Sequence, residues 1–199
     1  LFTPSTKGII DGIAGVAATD DAPVSPTLLR ENPGPFGLRS SADVDGCETL
    51  LRRGFEVIED ALAKHGELLV DTKFEFGLAP ARDGGEELLV MDEVGTPDSS
   101  RIWRRSDWEA GHPREHSKEQ FREALMDWVP DRAMLLDSAR MAERSAFARE
   151  QAVPDAFFEA LAETYRRQAE LITGRPVPVC DRPREAMLAC LDAELGLLR

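Results

Sequence analysis

An α+β fold is predicted, with an antiparallel sheet built on one long hairpin and packed with helices. Three observations carry that prediction. Residues 68–76 read LLVDTKFEF, where Val70, Thr72, Phe74 and Phe76 alternate with Asp71, Lys73 and Glu75; a strand sends alternate side chains to opposite faces. Residues 87–94 form a second strand-like run, with Leu88, Leu89, Val90 and Met91 ahead of Asp92 and Glu93. Between the runs, residues 79–85 hold Pro80, Asp83 and a Gly84-Gly85 pair, which is turn chemistry. On both sides of this hairpin apolar residues recur at helical spacing, at Leu51, Phe55, Ile58 and Leu62 and again after Ser117.

Taken in order, the chain opens LFTPSTKG. Thr3, Ser5, Thr6 and Lys7 make a short polar loop suited to an anion, with a frayed terminus as the plain alternative. Residues 8–39 are rich in Gly, Ala, Pro and Asp and show no period, so they read as one long loop, either functional or mobile. Ser40 or Ser41 caps the first helix, and Gly66 stops it. After the hairpin comes TPDSSR at residues 96–101, a tight turn offering hydroxyls, a carboxylate and backbone N–H groups. Arg101 at its end can grip a phosphate or carboxylate through two parallel hydrogen bonds, or simply pair with a nearby Asp. Ser117 and Gln120 form a capping-box pattern that starts a helix at Lys118, running to Trp128. Residues 131–151 are expected to be a single helix. Pro154 begins another, with Phe157, Phe158, Leu161, Tyr165 and Ile172 on its buried face and Gly174 at its end. A packing helix over residues 184–198 carries Met187, Leu188, Leu191 and Leu195 on one side. All of residues 1–199 read as one domain.

The charges on the hairpin suggest chemistry. In the register that lays Glu75 opposite Asp92, Lys73 faces Val94 and Asp71 faces Thr96. Asp71, Lys73, Glu75 and Asp92 then share one face, with Phe74, Phe76 and Met91 on the other. Carboxylates directly opposed across a ladder repel. A hard divalent ion such as Mg²⁺ would offset that repulsion, because carboxylate oxygens suit it. The bland reading is a solvated face with ordinary surface charges.

Composition excludes some classes. The 199 residues are 42% hydrophobic and 31% charged, as in globular domains, and carry 24 basic against 37 acidic residues for a net charge of −13. That balance argues against a nucleic-acid partner, which needs a basic footprint, but not against a small anionic substrate. No apolar run nears the roughly 20 residues a membrane helix needs, and the start shows no signal-peptide pattern. Cys47, Cys180 and Cys190 are odd in number and lack zinc-ligand spacing, which fits a reducing, cytoplasmic setting. Oligomeric state is left open, a homo-oligomer included.

Four stretches, LFTPSTK, VDTKFEFG, MDEVGTPDSSRIW and VPDAFFEALAETYRRQAELITG, resemble the phosphoribosylaminoimidazole-succinocarboxamide synthase (SAICAR synthetase) family. The resemblance implies the C-terminal lobe of a two-lobed fold, similar in plan to ATP-grasp and kinase-like enzymes. It implies an ATP-dependent ligase of purine biosynthesis. The carboxylate of carboxyaminoimidazole ribotide would be phosphorylated by ATP, and L-aspartate would displace the phosphate to form an amide. By position, Glu75 and Asp92 resemble the carboxylates that hold Mg²⁺ and ATP. Asp71 resembles a neighbouring metal or substrate partner. Lys73 matches the lysine that approaches the substrate carboxylate and the transferred phosphate. Arg101, with Ser99 and Ser100, matches the ribotide-phosphate site, and Lys7 and Asp20 fall in stretches expected to meet substrate.

The sequence departs from the family pattern in three places. The family's N-terminal lobe, which covers ATP, has no counterpart in these 199 residues, so the chain by itself is expected to be inactive. Thr19 in TDDAPVS stands where the family has a His, which allows a paralogue acting on a related carboxylate with a different amine. Gly95 replaces a bulkier apolar residue, and residues 104–152 are long and Arg-rich. An inactive domain kept for interaction is the remaining alternative, and the presence of Glu75 and Asp92 weighs against it.

Overall fold

The structure, a computed structural model, describes residues 1–82 and 84–196 and mixes helices with antiparallel strands. Its polar N-terminal loop is pinned rather than frayed. Thr6 is buried; its N–H donates to Ala22 O at 2.9 Å, and its hydroxyl accepts the Ala22 N–H at 3.0 Å beside a Ser5–Pro23 bridge. The stretch expected to be one long loop contains a short helix, α1 (Pro26–Glu31), whose N-cap Ser25 accepts the Leu28 N–H. Local apolar residues explain the difference. Val24 and Leu29 pack with Val44 into a small core lined by Phe2, Phe36 and Leu38. Val44 belongs to α2 (Ser41–Ala63), the helix predicted from the 51/55/58/62 stripe. At the far end of α2, Leu62 joins a second core with Leu69 and Ile102, backed by Phe55 and Ile58.

The hairpin is present, but interrupted. Its outgoing arm splits into β1 (Glu67–Thr72) and β2 (Glu75–Pro80), and its return arm into β3 (Glu86–Met91) and β4 (Ser100–Arg104). β2 pairs with β3 and β1 with β4, giving two two-stranded sheets. The turn lies where expected, with Ala81 N–H donating to Gly85 O; Asp83 is outside the described residues. The expected register is off by one residue in β2–β3 and by five in β1–β4. Glu75 opposes Met91, not Asp92, and Asp71 opposes Arg101, not Thr96. The β2–β3 pairing ends at Glu75–Met91, so Asp92 lies beyond the ladder. It follows the last β3 pair with φ 62°, at the start of an excursion that returns at Ser99, where Lys73 N–H donates to Ser99 O at 3.0 Å. A bulge between Leu69 and Asp71 re-aims β1 as well.

Helices follow β4: α3 (Arg105–Glu109), α4 (Glu119–Trp128), α5 (Arg132–Leu136), α6 (Met141–Glu150), α7 (Asp155–Thr173) and α8 (Pro183–Leu195). The single helix expected over residues 131–151 is broken into α5, a 3₁₀ turn and α6, because the Asp131 and Asp137 side chains each cap a new start. The Ser117–Gln120 capping box does not form. The Ser117 hydroxyl donates to Glu115, and Gln120 Oε1 accepts from Thr164 on α7. α7 ends at Gly174 as predicted, in left-handed backbone. Its buried face differs: Gln168 is buried, whereas Phe158 and Ile172 are exposed. Phe158 still meets the Phe121 ring of α4 at 5.5 Å. Met187 and Leu188 of α8 are exposed rather than packed, and Leu198 lies outside the described residues. No described helix is long and apolar enough to cross a membrane.

Candidate functional site

Two open clefts meet along one short piece of chain. The larger, about 780 Å³, is bounded by the N-terminal loop with Lys7, by α2, and by the β1–β2 stretch from Val70 to Phe76. The smaller, about 520 Å³, is bounded by Ser99, Ser100 and Arg101 and by Lys118 and Arg122 at the start of α4. Asp21, Asp71 and Lys73 line both.

At the first cleft, Glu75 Oε1 takes two ammonium groups, Lys7 at 2.6 Å and Lys73 at 3.0 Å. The hydrogen bond from Lys7, then that from Lys73, holds the Glu75 carboxyl below its usual range. Reciprocally, the Glu75 hydrogen bond raises the Lys7 ammonium, with Asp92 and Asp20 adding attraction. Lys7 thus reaches across from the N-terminal loop and lies in the field of both Glu75 and Asp92. Mg²⁺ keeps several waters and binds through one or two carboxylates plus substrate phosphates. Glu75, held by two lysines, and Asp92, which acts on the same Lys7, are the carboxylates that could hold an ion shared with a nucleotide phosphate. They do not form an all-protein cage: no three His, Cys, Asp or Glu side chains gather among the described residues.

At the second cleft, Arg101 donates through Nε to Asp71 Oδ2 at 2.8 Å, and its Nη2 meets the same oxygen. The Asp71 hydrogen bond raises the guanidinium further above its ordinary value. The TPDSSR turn is tightly tied. Ser99 and Thr96 exchange backbone-to-hydroxyl hydrogen bonds at 3.2 Å. Ser100 is buried and gives its hydroxyl to Thr72 at 2.9 Å, so it anchors β4 to β1 instead of presenting a free hydroxyl. Asp98 accepts from the Tyr165 hydroxyl at 3.1 Å and pairs with Lys118 at 3.4 Å. Burial pushes Asp98 up, but the hydrogen bond from the Tyr165 hydroxyl and the Lys118 ammonium help to outweigh it and its pKa falls. Burial and the Asp98 carboxylate push the Tyr165 phenol up to about 12.

The sequence-predicted residues are therefore brought together in part. Asp71, Lys73, Glu75, Arg101, Ser99, Ser100 and Lys7 border one or other cleft. Asp20 borders neither; its Oδ1 accepts the N–H groups of Gly8 at 2.7 Å and Asp21 at 3.0 Å and so shapes the loop. Lys118, Arg122 and Asp21 were missed. The Lys118–Arg122 spacing of four on a predicted helix was a usable signal. Asp21 had only its place beside Asp20.

The protein-family model for SAICAR synthetase matches residues 17–134, well over half of the 199 residues. The chain belongs to the SAICAR synthetase family. Over 198 residues it is 46% identical to the phosphoribosylaminoimidazole-succinocarboxamide synthase of Vibrio cholerae and 44% identical to that of Psychromonas ingrahamii, covering 100% of this chain and 54% of each relative. The chain thus spans about half the length of the curated relatives it matches. A solved structure described as SAICAR synthase has a TM-score of 0.52 at 18% identity, over 84% of this chain and 52% of that one. SAICAR synthetase from Pyrococcus horikoshii OT3 scores 0.50 at 22% identity, over 80% of this chain and 48% of that one. At those identities the likeness establishes the mixed α+β fold that the family shares.

Proposed function

We propose that this chain carries a large part of the catalytic surface of an ATP-dependent carbon–nitrogen ligase of purine biosynthesis. Carboxyaminoimidazole ribotide and L-aspartate would be joined through an amide. The observation that carries the reading is the shared wall. Asp71 and Lys73 line both clefts, so a phosphoryl donor on one side and an acceptor carboxylate on the other would meet at the Lys73 ammonium. Phosphoryl transfer is mainly positioning and charge stabilisation, which suits a site built from lysines, carboxylates and an arginine.

In this reading Lys7 and Lys73 face the transferring phosphate from the first cleft. Glu75 and Asp92 would hold Mg²⁺, which supplies charge neutralisation at the nucleotide phosphates. Arg101, Ser99, Lys118 and Arg122 bind and orient the phosphorylated ribotide in the second cleft. The ribotide carboxylate accepts a phosphoryl group from ATP, and the L-aspartate amine then displaces phosphate and forms the C–N bond. The 44–46% identity to proteins named as this synthase supports carboxyaminoimidazole ribotide over a related carboxylate. The test is mass spectrometry of products from full-length protein given ATP, L-aspartate and carboxyaminoimidazole ribotide. The succinocarboxamide, with stoichiometric ADP, is expected. ADP release without that product would point to a different amine or carboxylate, and neither product would refute the reading.

A further inference from the structure

Among the described residues α7 borders neither cleft, yet it reaches two segments that form the second one. It lies outside the stretch matched by the family model. Tyr165 on α7 is partly buried, and its hydroxyl donates to Asp98 Oδ1 at 3.1 Å. The preceding residue, Thr164, donates its hydroxyl to Gln120 Oε1 at 2.9 Å. Asp98 belongs to the TPDSSR turn and Gln120 to the first turn of α4. Two neighbouring side chains of α7 therefore brace both segments from behind.

Asp98 is the joint between them. Its Oδ1 is held by Tyr165, and its Oδ2 faces the Lys118 ammonium at 3.4 Å. The Lys118 N–H donates to Pro97 O at 3.0 Å, so the backbone and the side chain of Lys118 are both tied to the same turn. Lysine carries its charge on a flexible four-carbon stem, so the place of its ammonium depends on what fixes it. Asp98 is itself half exposed, and the Tyr165 hydrogen bond fixes the direction of its carboxylate. Burial, then the Asp98 carboxylate, with Glu93 adding negative charge, push the phenol up to about 12, so Tyr165 stays a donor near neutral pH.

We infer that Tyr165 is a positioning residue for the phosphate-bearing substrate: by holding Asp98 it sets where the Lys118 ammonium stands in the second cleft. This inference rests on the reading that the second cleft takes the ribotide. Side chains of a site keep a productive geometry when packing and supporting hydrogen bonds lock them. Arg101 has such a lock in Asp71, and Arg122 has one in Glu119. The lock on Lys118 runs one residue further, through Asp98 to α7.

The test is steady-state kinetics of full-length Tyr165→Phe, Lys118→Met and the double variant, with ATP, L-aspartate and ribotide varied in turn. Phe keeps the ring and removes only the hydroxyl, so α7 keeps its packing. In Tyr165→Phe the KM for ribotide is expected to rise about three- to tenfold, the loss of one hydrogen bond. The kcat and the other two KM values should stay within about twofold. Lys118→Met should raise the ribotide KM further. Adding Tyr165→Phe to it should change that KM by less than about twofold, because Tyr165 acts through Lys118. A multiplied rise in the double variant, an equal rise in all three KM values, or a lower melting temperature with an unmoved ribotide KM overturns the assignment. If Tyr165→Phe does not fold, Asp98→Asn takes its place, with the same expected split and the same overturning outcomes. Wild-type protein that makes no succinocarboxamide overturns the ligase reading itself. Active wild type with an unmoved ribotide KM in Tyr165→Phe overturns the positioning role alone.

Discussion

Gly54 lies in the middle of α2, where glycine costs about 0.5–1 kcal/mol relative to alanine. Replacing it with alanine should therefore stabilise the protein if the helix alone mattered. The structure predicts the reverse. A Cβ at position 54 would come within 2.6 Å of Phe74 Cε1 and 2.7 Å of Cζ, about 1 Å inside ordinary carbon contact. Overpacking of this kind costs about 1–3 kcal/mol, so the net effect of Gly54→Ala is a loss of about 1–2 kcal/mol. For a chain of this size that is a Tm lower by about 2–8 °C. Phe74 stands between Lys73 and Glu75 and its ring stacks on Phe76, so moving it displaces both charged neighbours. A 1 Å misplacement can reduce turnover by about 10²-fold. The decisive assay is a double-mutant cycle with Phe74→Ala, followed by calorimetry. Without the ring, Gly54→Ala should raise Tm, because only the helix-propensity gain remains. If Gly54→Ala raised Tm in both backgrounds, or lowered it equally in both, the proposed contact would not limit position 54.

Other substitutions separate site from scaffold. Glu75→Gln or Asp92→Asn in the full-length protein should abolish ADP release in a coupled assay while leaving the circular-dichroism melt unchanged; wild-type release from either variant would refute the metal assignment. Arg101→Ala should raise the KM for the ribotide by roughly ten- to a hundredfold, the loss of hydrogen bonds to a charged group, and an unchanged ribotide KM would count against it. Gly95→Val places a β-branched residue at φ 70° against the Ile58 side chain, 3.0 Å from the new Cβ; strain of roughly 1–3 kcal/mol should lower Tm by about 2–12 °C. The Arg39 hydrogen bonds depress Asp43 from 3.8 to about 2. A depressed carboxylate stabilises the fold fully above pH 3.8 and loses that contribution as pH falls through about 2. The stability difference between wild type and Asp43→Asn, followed by chemical denaturation, should be constant above that window and shrink within it; a constant difference down to pH 2 would refute the linkage.

Local features of the fold were legible in the sequence. The 51/55/58/62 stripe specified α2 because helical spacing and burial coincide there, and Pro80 with Gly84-Gly85 placed the turn. Long-range features were not. Opposing Glu75 and Asp92 is an arrangement chosen by chemistry, whereas the actual register is set by the turn and by Phe76, Leu78 and their partners on β3. The interruption at Lys73–Phe74 depends on α2 approaching closely enough at Gly54 for Phe74 to pack there, which no period along the strand encodes. Asp20 was the visible acid of TDDAPVS; that Asp21 is the one at the clefts follows from a backbone held by Thr6 and Ala22. Ser100 looked like a donor to substrate because its neighbours are polar, yet its hydroxyl closes on Thr72 across the strand pair.

The errors in the strand pattern share one physical cause, and it bears on the chemistry. An uninterrupted ladder would put Asp71, Lys73 and Glu75 on a single face, against one surface. The bulge after Leu69 and the break before Glu75 divide them: Glu75 borders only the first cleft, whereas Asp71 and Lys73 border both. The Asp92–Ser99 excursion then carries Arg101 back to Asp71 at the second cleft, while leaving Asp92 within electrostatic reach of Lys7. A reaction that moves a phosphoryl group between two bound molecules requires groups aimed at both and a cation between them. Regular pairing would have supplied the residues without the two sides. The irregularities that defeated a period-two reading are what place Lys73 between the clefts.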